Sequence, residues 1–194
     1  MLLYLVIIFI SSCLIAGGVS LAFGEGYFAT FGLTWLAIGI IVVINAVVAT
    51  IARALPKSFA DFEKNFFKVS SKEKNFLEKL KIRKWKDLIP EIGHFTGFRK
   101  NKILEPNNPK YIERFLLECC YGEIGHFWSI IFGFLLLLFF FISDTWIAIS
   151  IPVAIIAGGL NLLPFMTLRY NSYKLRILRT SLLKKQKQEQ NKIA

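Results

Sequence analysis

The sequence predicts an all-α integral membrane protein with about four transmembrane helices and a helical, basic loop region between the second and third. Hydrophobic residues make up 55% of the chain and the mean hydropathy is +0.52, well above ordinary soluble domains. A hydrocarbon core about 30 Å thick takes roughly 20 helical residues to cross. Four apolar runs approach that length: 2–23, 27–55, 127–142 with the turn before it, and 145–168.

The first two runs form a predicted N-terminal pair over residues 1–55. No basic residue precedes Leu2 and no small-residue cleavage site follows the run, so we expect a retained span rather than a signal peptide. The second run, of 29 residues, is too long for an upright crossing. It therefore predicts a tilted helix or one that continues past the membrane surface.

Charge predicts the orientation of the chain. All 24 Lys and Arg residues lie between Arg53 and Arg114 or between Arg169 and Lys192, whereas the two short connections carry only Glu25 and Asp144. Because positive residues stay cytoplasmic, we predict a cytoplasmic loop at 56–122, a basic cytoplasmic tail at 169–194 and an external N-terminus. Each basic stretch adjoins a span, so the +11 net charge indicates membrane lipids rather than nucleic acid as the partner.

The loop has helical patterns of its own. Ser58 is a candidate cap for an amphipathic helix with basic edges, of the kind that lies among lipid headgroups. Its predicted apolar stripe is Phe59, Phe62, Phe66 and Val69. Ser70-x-x-Glu73 is a capping-box pattern that opens a second helix. That helix is predicted to carry Phe76, Leu77 and Leu80 on one face.

The third apolar run is entered through a pair of ionisable residues. Asn108-Pro109 predicts the start of a helix that leads into residues 123–168. Glu123 and His126 lie one turn apart on it, just below the expected membrane surface. Ionisable residues are costly there and are functional candidates by default. The alternative is a pair that only anchors the helix at the interface.

Two further groups are predicted to lie on the same side of the membrane. By topology, Asn161, Arg169 and Asn171 share the cytoplasmic leaflet with His126. Simpler roles are a helix–helix hydrogen bond for Asn161 and a span boundary for Arg169. The basic group is Arg83, Lys84, Trp85 and Lys86. It suits phosphates of an anionic donor or a lipid headgroup, or is a solvated charge run with one anchor.

Together these motifs resemble glycosyl-4,4'-diaponeurosporenoate acyltransferases, small bacterial membrane enzymes that complete staphyloxanthin synthesis. The resemblance covers about Phe59 to Leu178 and rests on Arg83-Lys-Trp-Lys86, Gly93-His94, Glu123-x-x-His126, Asn161 and Arg169-Tyr170-Asn171. It implies a multi-pass protein of the bacterial inner membrane that needs no cofactor. It also implies fatty acyl transfer from acyl-CoA or another acyl thioester to a sugar hydroxyl of a carotenoid glycoside. The long apolar N-terminal spans and the Lys-rich tail differ from the family pattern and leave the acceptor open to a related glycolipid.

The residue types suit acyl transfer to a hydroxyl. We predict His126 as general base and His94 as a reserve base, with Glu123 as the carboxylate that orients the ring of His126 or, alternatively, of His94. Asn161, Asn171 or Arg169 would donate hydrogen bonds to the tetrahedral intermediate. The predicted substrate-binding residues are Arg83, Lys84, Trp85, Lys86, Trp128, Arg169, Tyr170 and Asn171. We predict no metal site, because the chain has only two histidines and no Cys-x-x-Cys.

Two other classes of function remain open at the level of sequence. One is a small membrane methyltransferase that modifies a lipidic substrate, and the other is a non-catalytic lipid-binding partner subunit. The chain lacks the dense C-terminal acidic pair that such methyltransferases carry. The sequence leaves the oligomeric state undetermined.

Overall fold

The structure, a computed structural model, describes residues 2–89, 103–139 and 141–193. All regular elements in these ranges are helical, which confirms the predicted fold class. The α-helices are α1 Leu2–Phe23, α2 Tyr27–Ala54, α3 Ser71–Lys79, α4 Ile82–Trp85, α5 Pro109–Gly133 and α6 Asp144–Ile193. Short 3-10 segments occupy Asn65–Phe67, Lys86–Leu88 and Phe134–Phe139.

Four segments of the described chain are long and apolar enough to cross a membrane: Leu2–Phe23, Tyr27–Ala54, Pro109–Phe139 and Asp144–Asn191. The predicted number of spans is thereby confirmed, and the chain has the character of a multi-pass membrane protein. The third and fourth of these segments begin before, or end after, the apolar runs from which we predicted them. In particular, α6 continues for 25 residues after Leu168, so the basic tail is helical.

The chain divides into two compact units. The apolar unit consists of Met1–Arg53 and Gly125–Leu163, and the basic unit consists of Ala54–Ile124 and Pro164–Ala194. Helices α5 and α6 each contribute one part to both units, because the unit boundaries fall inside these helices.

Small polar residues bring α1 and α2 together in the apolar unit. Ser12, Thr30 and Thr34 are fully buried, and the Thr30 hydroxyl donates to the Ala16 carbonyl at 3.1 Å. Large apolar side chains point outward instead, with Leu21 88% exposed. Lipid tails are as apolar as leucine, so such helices associate through close packing of small residues rather than through hydrophobic burial.

Helix α6 contains a proline without losing its continuity. Pro164 has no N–H to donate to the carbonyl of Leu160, one turn earlier. Within the apolar unit the Tyr4 hydroxyl donates to that carbonyl at 3.0 Å. An unsatisfied carbonyl in hydrocarbon costs several kcal/mol, so this bond stabilises α6 where it would otherwise be weakest.

Two of the three helix starts predicted in the basic unit, those at Ser70 and Asn108, are confirmed. The Ser70 side chain accepts the backbone N–H of Glu73 at 3.1 Å and caps α3. The Asn108 side chain accepts the N–H groups of Lys110 and Tyr111 at 3.1 and 3.3 Å and caps α5. These short-range patterns are sufficient because a cap needs only residues within one turn.

The amphipathic helix predicted from Ser58 does not form. Residues 56–64 are turns and bends. The carbonyl of Phe62 accepts a hydrogen bond from the Arg176 side chain, and the carbonyl of Phe66 accepts one from Arg169 Nη1 at 2.6 Å. Arginines of α6 therefore occupy carbonyls that an α-helix would have satisfied with its own N–H groups.

The single apolar face predicted for the α3 helix is also partly wrong. Leu77 is buried, at 3% exposure, but Phe76 and Leu80 are 57% and 43% exposed. Leu77 packs with Ile82 and Tyr170 in a small core. The Glu73–Leu77 side of α3 faces this core, which turns Phe76 outward.

Candidate active site

The predicted base lies in the apolar unit and has a defined partner. His126 on α5 is half-buried, and its Nδ1 atom lies 3.0 Å from Oδ1 of Asn161 on α6. The Asn161 Nδ2 group donates in turn to the Ala157 carbonyl at 3.0 Å. That bond fixes which end of the amide faces the histidine, because only the nitrogen end can donate to a carbonyl.

The hydrogen-bond pattern assigns the tautomer of the neutral ring. Since Asn161 Oδ1 can only accept, His126 Nδ1 must carry the proton and donate it. Nε2 is then the nitrogen with the lone pair. An imidazole held by one nitrogen, with the other able to take a proton, is the arrangement that general-base catalysis requires.

Aromatic side chains follow His126 along α5. The Trp128 ring stacks on Phe132 at 5.2 Å between centroids and meets the edge of Phe127 at 5.7 Å. Trp128 is 43% exposed. The three rings form an apolar surface that suits the predicted contact of Trp128 with an acyl chain.

Glu123 belongs to a different cluster, in the basic unit. The Arg169 guanidinium donates through Nε and Nη2 to both Glu73 oxygens, at 2.7 and 2.8 Å. Its Nη1 donates to the Phe66 carbonyl at 2.6 Å and to Glu123 Oε2 at 3.2 Å. The Ser172 hydroxyl donates to Glu123 Oε1 at 2.9 Å. We call these residues, centred on Arg169, the arginine network.

The arginine network bears on two predicted roles. Glu123 is fully buried, and both of its oxygens accept bonds within the network. The side chain that hydrogen-bonds the His126 ring is Asn161, so the contacts of Glu123 lend no support to the ring-orienting role, which stays a prediction. Arg169 uses four of its five N–H groups on protein acceptors, so its predicted contact with substrate has little donor capacity left.

A third group surrounds Tyr170, whose ring is fully buried. Its hydroxyl accepts from Arg83 Nε at 2.6 Å and donates to Glu78 Oε1 at 3.3 Å. The hydrogen bond to Tyr170, and next that to Glu78, raises the pKa of the Arg83 guanidinium. The hydrogen bond from Lys74 lowers the pKa of the Glu78 carboxyl below its ordinary value, and Arg83 lowers it to a smaller extent. The Arg83 side chain is nevertheless 65% exposed, so part of its guanidinium remains open to solvent.

The other predicted site residues are distributed as follows. Lys84 is exposed, Trp85 is half-buried with its indole N–H on the Leu80 carbonyl at 2.9 Å, and Lys86 pairs with Asp87. Asn171 is 8% exposed. His94 lies outside the residues that the structure describes.

Sequence reasoning missed Glu73 and Ser172. Glu73 had a local explanation as the acidic member of a capping box, yet its carboxylate reaches Arg169 rather than the N–H of Ser70. Ser172 directly follows the Arg169-Tyr170-Asn171 motif. The only feature of the sequence that could have indicated Ser172 was the position of its hydroxyl, three residues after Arg169.

The family of the chain follows from comparison with known sequences. The family model described as glycosyl-4,4'-diaponeurosporenoate acyltransferase matches residues 59–181. The chain belongs to this acyltransferase family. No curated protein and no solved structure matches the chain significantly. The match includes Arg83, His126, Asn161 and the arginine network, and it confirms the resemblance drawn from the motifs.

Membership decides between the classes of function that the sequence left open. The protein is an acyltransferase, which removes the methyltransferase and the non-catalytic subunit as leading interpretations. The family description also implies a lipidic glycoside acceptor and an acyl donor.

Proposed function

We propose that the protein transfers a fatty acyl group from an acyl thioester to a hydroxyl of a glycosylated carotenoid or related glycolipid, with His126 as general base. The observation that carries this proposal is the 3.0 Å contact between His126 Nδ1 and Asn161 Oδ1. It leaves Nε2 as the basic atom of a ring whose orientation is fixed. Asn161 is then a positioning residue rather than an oxyanion donor.

The proposed reaction is a direct transfer. His126 Nε2 removes the proton of the sugar hydroxyl while the oxygen attacks the thioester carbonyl. The tetrahedral intermediate collapses, the C–S bond breaks, and the imidazolium returns its proton to the departing thiolate. The products are an ester and a free thiol. An acyl-enzyme is disfavoured because Cys119 and Cys120, at 2% and 1% exposure, are buried in the basic unit.

The donor is proposed to bind through its phosphates to the basic group at 83–86. Arg83 supports this because Tyr170 and Glu78 hold Nε and Nη2, and the exposed remainder of the guanidinium can meet a phosphate. Lys84 adds an exposed ammonium. A coenzyme A thioester carries such phosphates at its end, and an acyl carrier protein presents one on its prosthetic group.

The proposed location is the cytoplasmic leaflet of the bacterial inner membrane. The distribution of Lys and Arg supports it, because the loop at 56–122 and the C-terminal helix hold 23 of the 24, and the remaining one, Arg53, lies in the last turn of α2 next to the loop. Cytoplasmic acyl thioesters would then reach the site directly.

The function can be tested with purified protein in lipid nanodiscs. We expect radiolabelled acyl-CoA and a glycosylated diaponeurosporenoate to yield a product heavier by one acyl unit, and S-adenosylmethionine to yield none. Transfer of a methyl group instead, or no acyl product with any thioester donor, would contradict the proposal.

The base can be identified in the same assay by comparing two variants. His126→Ala should lose far more activity than His94→Ala. The reverse order would assign the base to His94 while leaving acyl transfer itself intact.

A further inference from the structure

Helix α3 has two sides of different character. Its inner side carries Glu73, which contacts Arg169, and Leu77, which is buried. Its outer side combines two exposed apolar residues with two exposed cations at helical spacing. What we call the outer face of α3 consists of Lys72, Phe76 and Lys79, together with Leu80, the residue that caps the end of the helix.

The arginine network fixes the outer face of α3 to the end of a membrane span. Residues 145–168 of α6 contain no Lys, Arg, Asp or Glu, and Arg169 is the first charge after them. A first basic residue after an apolar run marks the depth of the membrane surface. Two hydrogen bonds of 2.7 and 2.8 Å tie Glu73 to that residue, so α3 lies near headgroup level.

A second exposed aromatic residue is held at the same arginine. The Phe66 carbonyl accepts from Arg169 Nη1 at 2.6 Å, and its side chain is 50% exposed. Lys64 and Lys68 flank it in sequence. Two segments that both display an aromatic ring beside lysines are therefore attached to one guanidinium.

The charges on the outer face of α3 that have no partner of opposite sign are positive. Glu73 pairs with Arg169, and Glu78 pairs with Lys74 and Arg83, so both acids of α3 are neutralised by cations within the unit. Within the described part of the chain, Lys72 and Lys79 have no acidic partner. The charge presented outward by α3 is therefore positive, which complements an anionic surface.

We propose that the outer face of α3, with Phe66, inserts into the headgroup layer of the membrane that the chain spans and binds anionic phospholipids there. Phe76 and Leu80 reach the acyl boundary while Lys72 and Lys79 meet phosphates, as on interfacial amphipathic helices. The contact holds the basic unit against the leaflet. This inference goes beyond the proposed function and does not depend on it.

Spin-label accessibility tests this insertion without any activity assay. Phe76→Cys is labelled with a nitroxide in a Cys13→Ser background, which leaves only the buried Cys119 and Cys120. The same label at Gln188→Cys, on the exposed end of α6, is the aqueous control. Collision rates with oxygen and with a water-soluble nickel chelate are compared in nanodiscs of phosphatidylcholine with and without phosphatidylglycerol.

We expect the label at 76 to favour oxygen over nickel several-fold more than the label at 188, most strongly with phosphatidylglycerol. The double variant Lys72→Gln with Lys79→Gln should reduce this oxygen-over-nickel preference. Each lysine near an anionic surface strengthens membrane binding roughly five-fold, so the variant holds the label less firmly in the headgroup layer. The matched control, Lys185→Gln with Lys187→Gln, changes two exposed lysines on α6 and should leave the label at 76 unaffected.

Three outcomes would overturn the proposal. Equal nickel accessibility at 76 and 188 would place the outer face in water. Low accessibility to both reagents, with spin–spin broadening, would mean that a second copy of the chain covers it. An unchanged preference in the double glutamine variant would exclude anionic headgroups as the ligand.

Discussion

The His126–Asn161 pair and the arginine network differ in how completely their polar atoms are satisfied. In the pair, one ring nitrogen is held and the other carries a lone pair on a half-buried side chain. In the network, Glu123 is fully buried and accepts two bonds, while Arg169 donates four. A group with unused hydrogen-bonding capacity suits chemistry, and a fully satisfied one suits stability. The family motif thus contains residues of both kinds.

The largest expected effect separates the two regions by activity. His126→Ala should lower acyl transfer by about 10²–10⁴-fold, the usual contribution of a positioned base, with an unchanged melting temperature. Steady-state transfer and thermal unfolding in detergent measure the two quantities. Ser129→Ala, a change on the same helix, is the control and should retain activity. Full activity in His126→Ala would remove the base from the proposal.

The converse effect is expected in the network. Arg169→Met leaves Glu73 and Glu123 without their cation and should destabilise the protein by about 3–5 kcal/mol, because an unpaired buried charge is costly. Thermal unfolding of the purified variant checks this. Adding Glu123→Gln removes one stranded charge and should restore part of the loss. An unchanged melting temperature in Arg169→Met would mean that the network contributes little to stability.

Ser172 provides a smaller test of the same network. Ser172→Ala deletes a 2.9 Å hydrogen bond to the Glu123 carboxylate and should cost about 2 kcal/mol, as for bonds to charged groups. Thr180→Ala is the matched control, since its hydroxyl bonds an exposed carbonyl of the same helix. Equal effects of the two substitutions would argue against a special role for Ser172.

Asn161 tests whether the ring of His126 needs its partner. Asn161→Leu removes the acceptor for Nδ1–H and should reduce turnover about tenfold, the kinetic equivalent of one hydrogen bond. Asn161→Asp keeps an acceptor and should recover much of the rate. A purely structural role for Asn161 predicts that both variants lose stability and that aspartate gives no recovery.

The smallest expected effect depends on pH and lies at the surface of the basic unit. Lys74, with Arg83, holds the pKa of Glu78 below its ordinary value of 4.5. Its stabilising contribution is therefore complete above that pH and is lost as the pH falls through the lower value of the folded state. The difference in melting temperature between wild type and Glu78→Gln should narrow over that acid range. A constant difference would show that charge at Glu78 is immaterial.

The parts of the fold that depend on neighbouring residues were predictable. The caps at Ser70 and Asn108 involve atoms within one turn, and both formed as predicted. The helix predicted from Ser58 failed because Arg176, 114 residues beyond Phe62, bonds a carbonyl of that segment. The partner of His126 lies 35 residues away on α6. Periodicity in a short window contains no information about such partners.

The sequence by itself determined that this is a four-span, all-helical membrane acyltransferase. Lipid forces every backbone polar group to bond within its own segment, so length and hydropathy suffice to identify the spans. Tertiary structure alone decided which side chains meet. It assigned Asn161 to His126, bound Glu123 to Arg169 and Ser172, and turned Phe76 outward. These outcomes depend on which donors and acceptors of distant segments lie within bonding distance, and only the packing of the helices determines that.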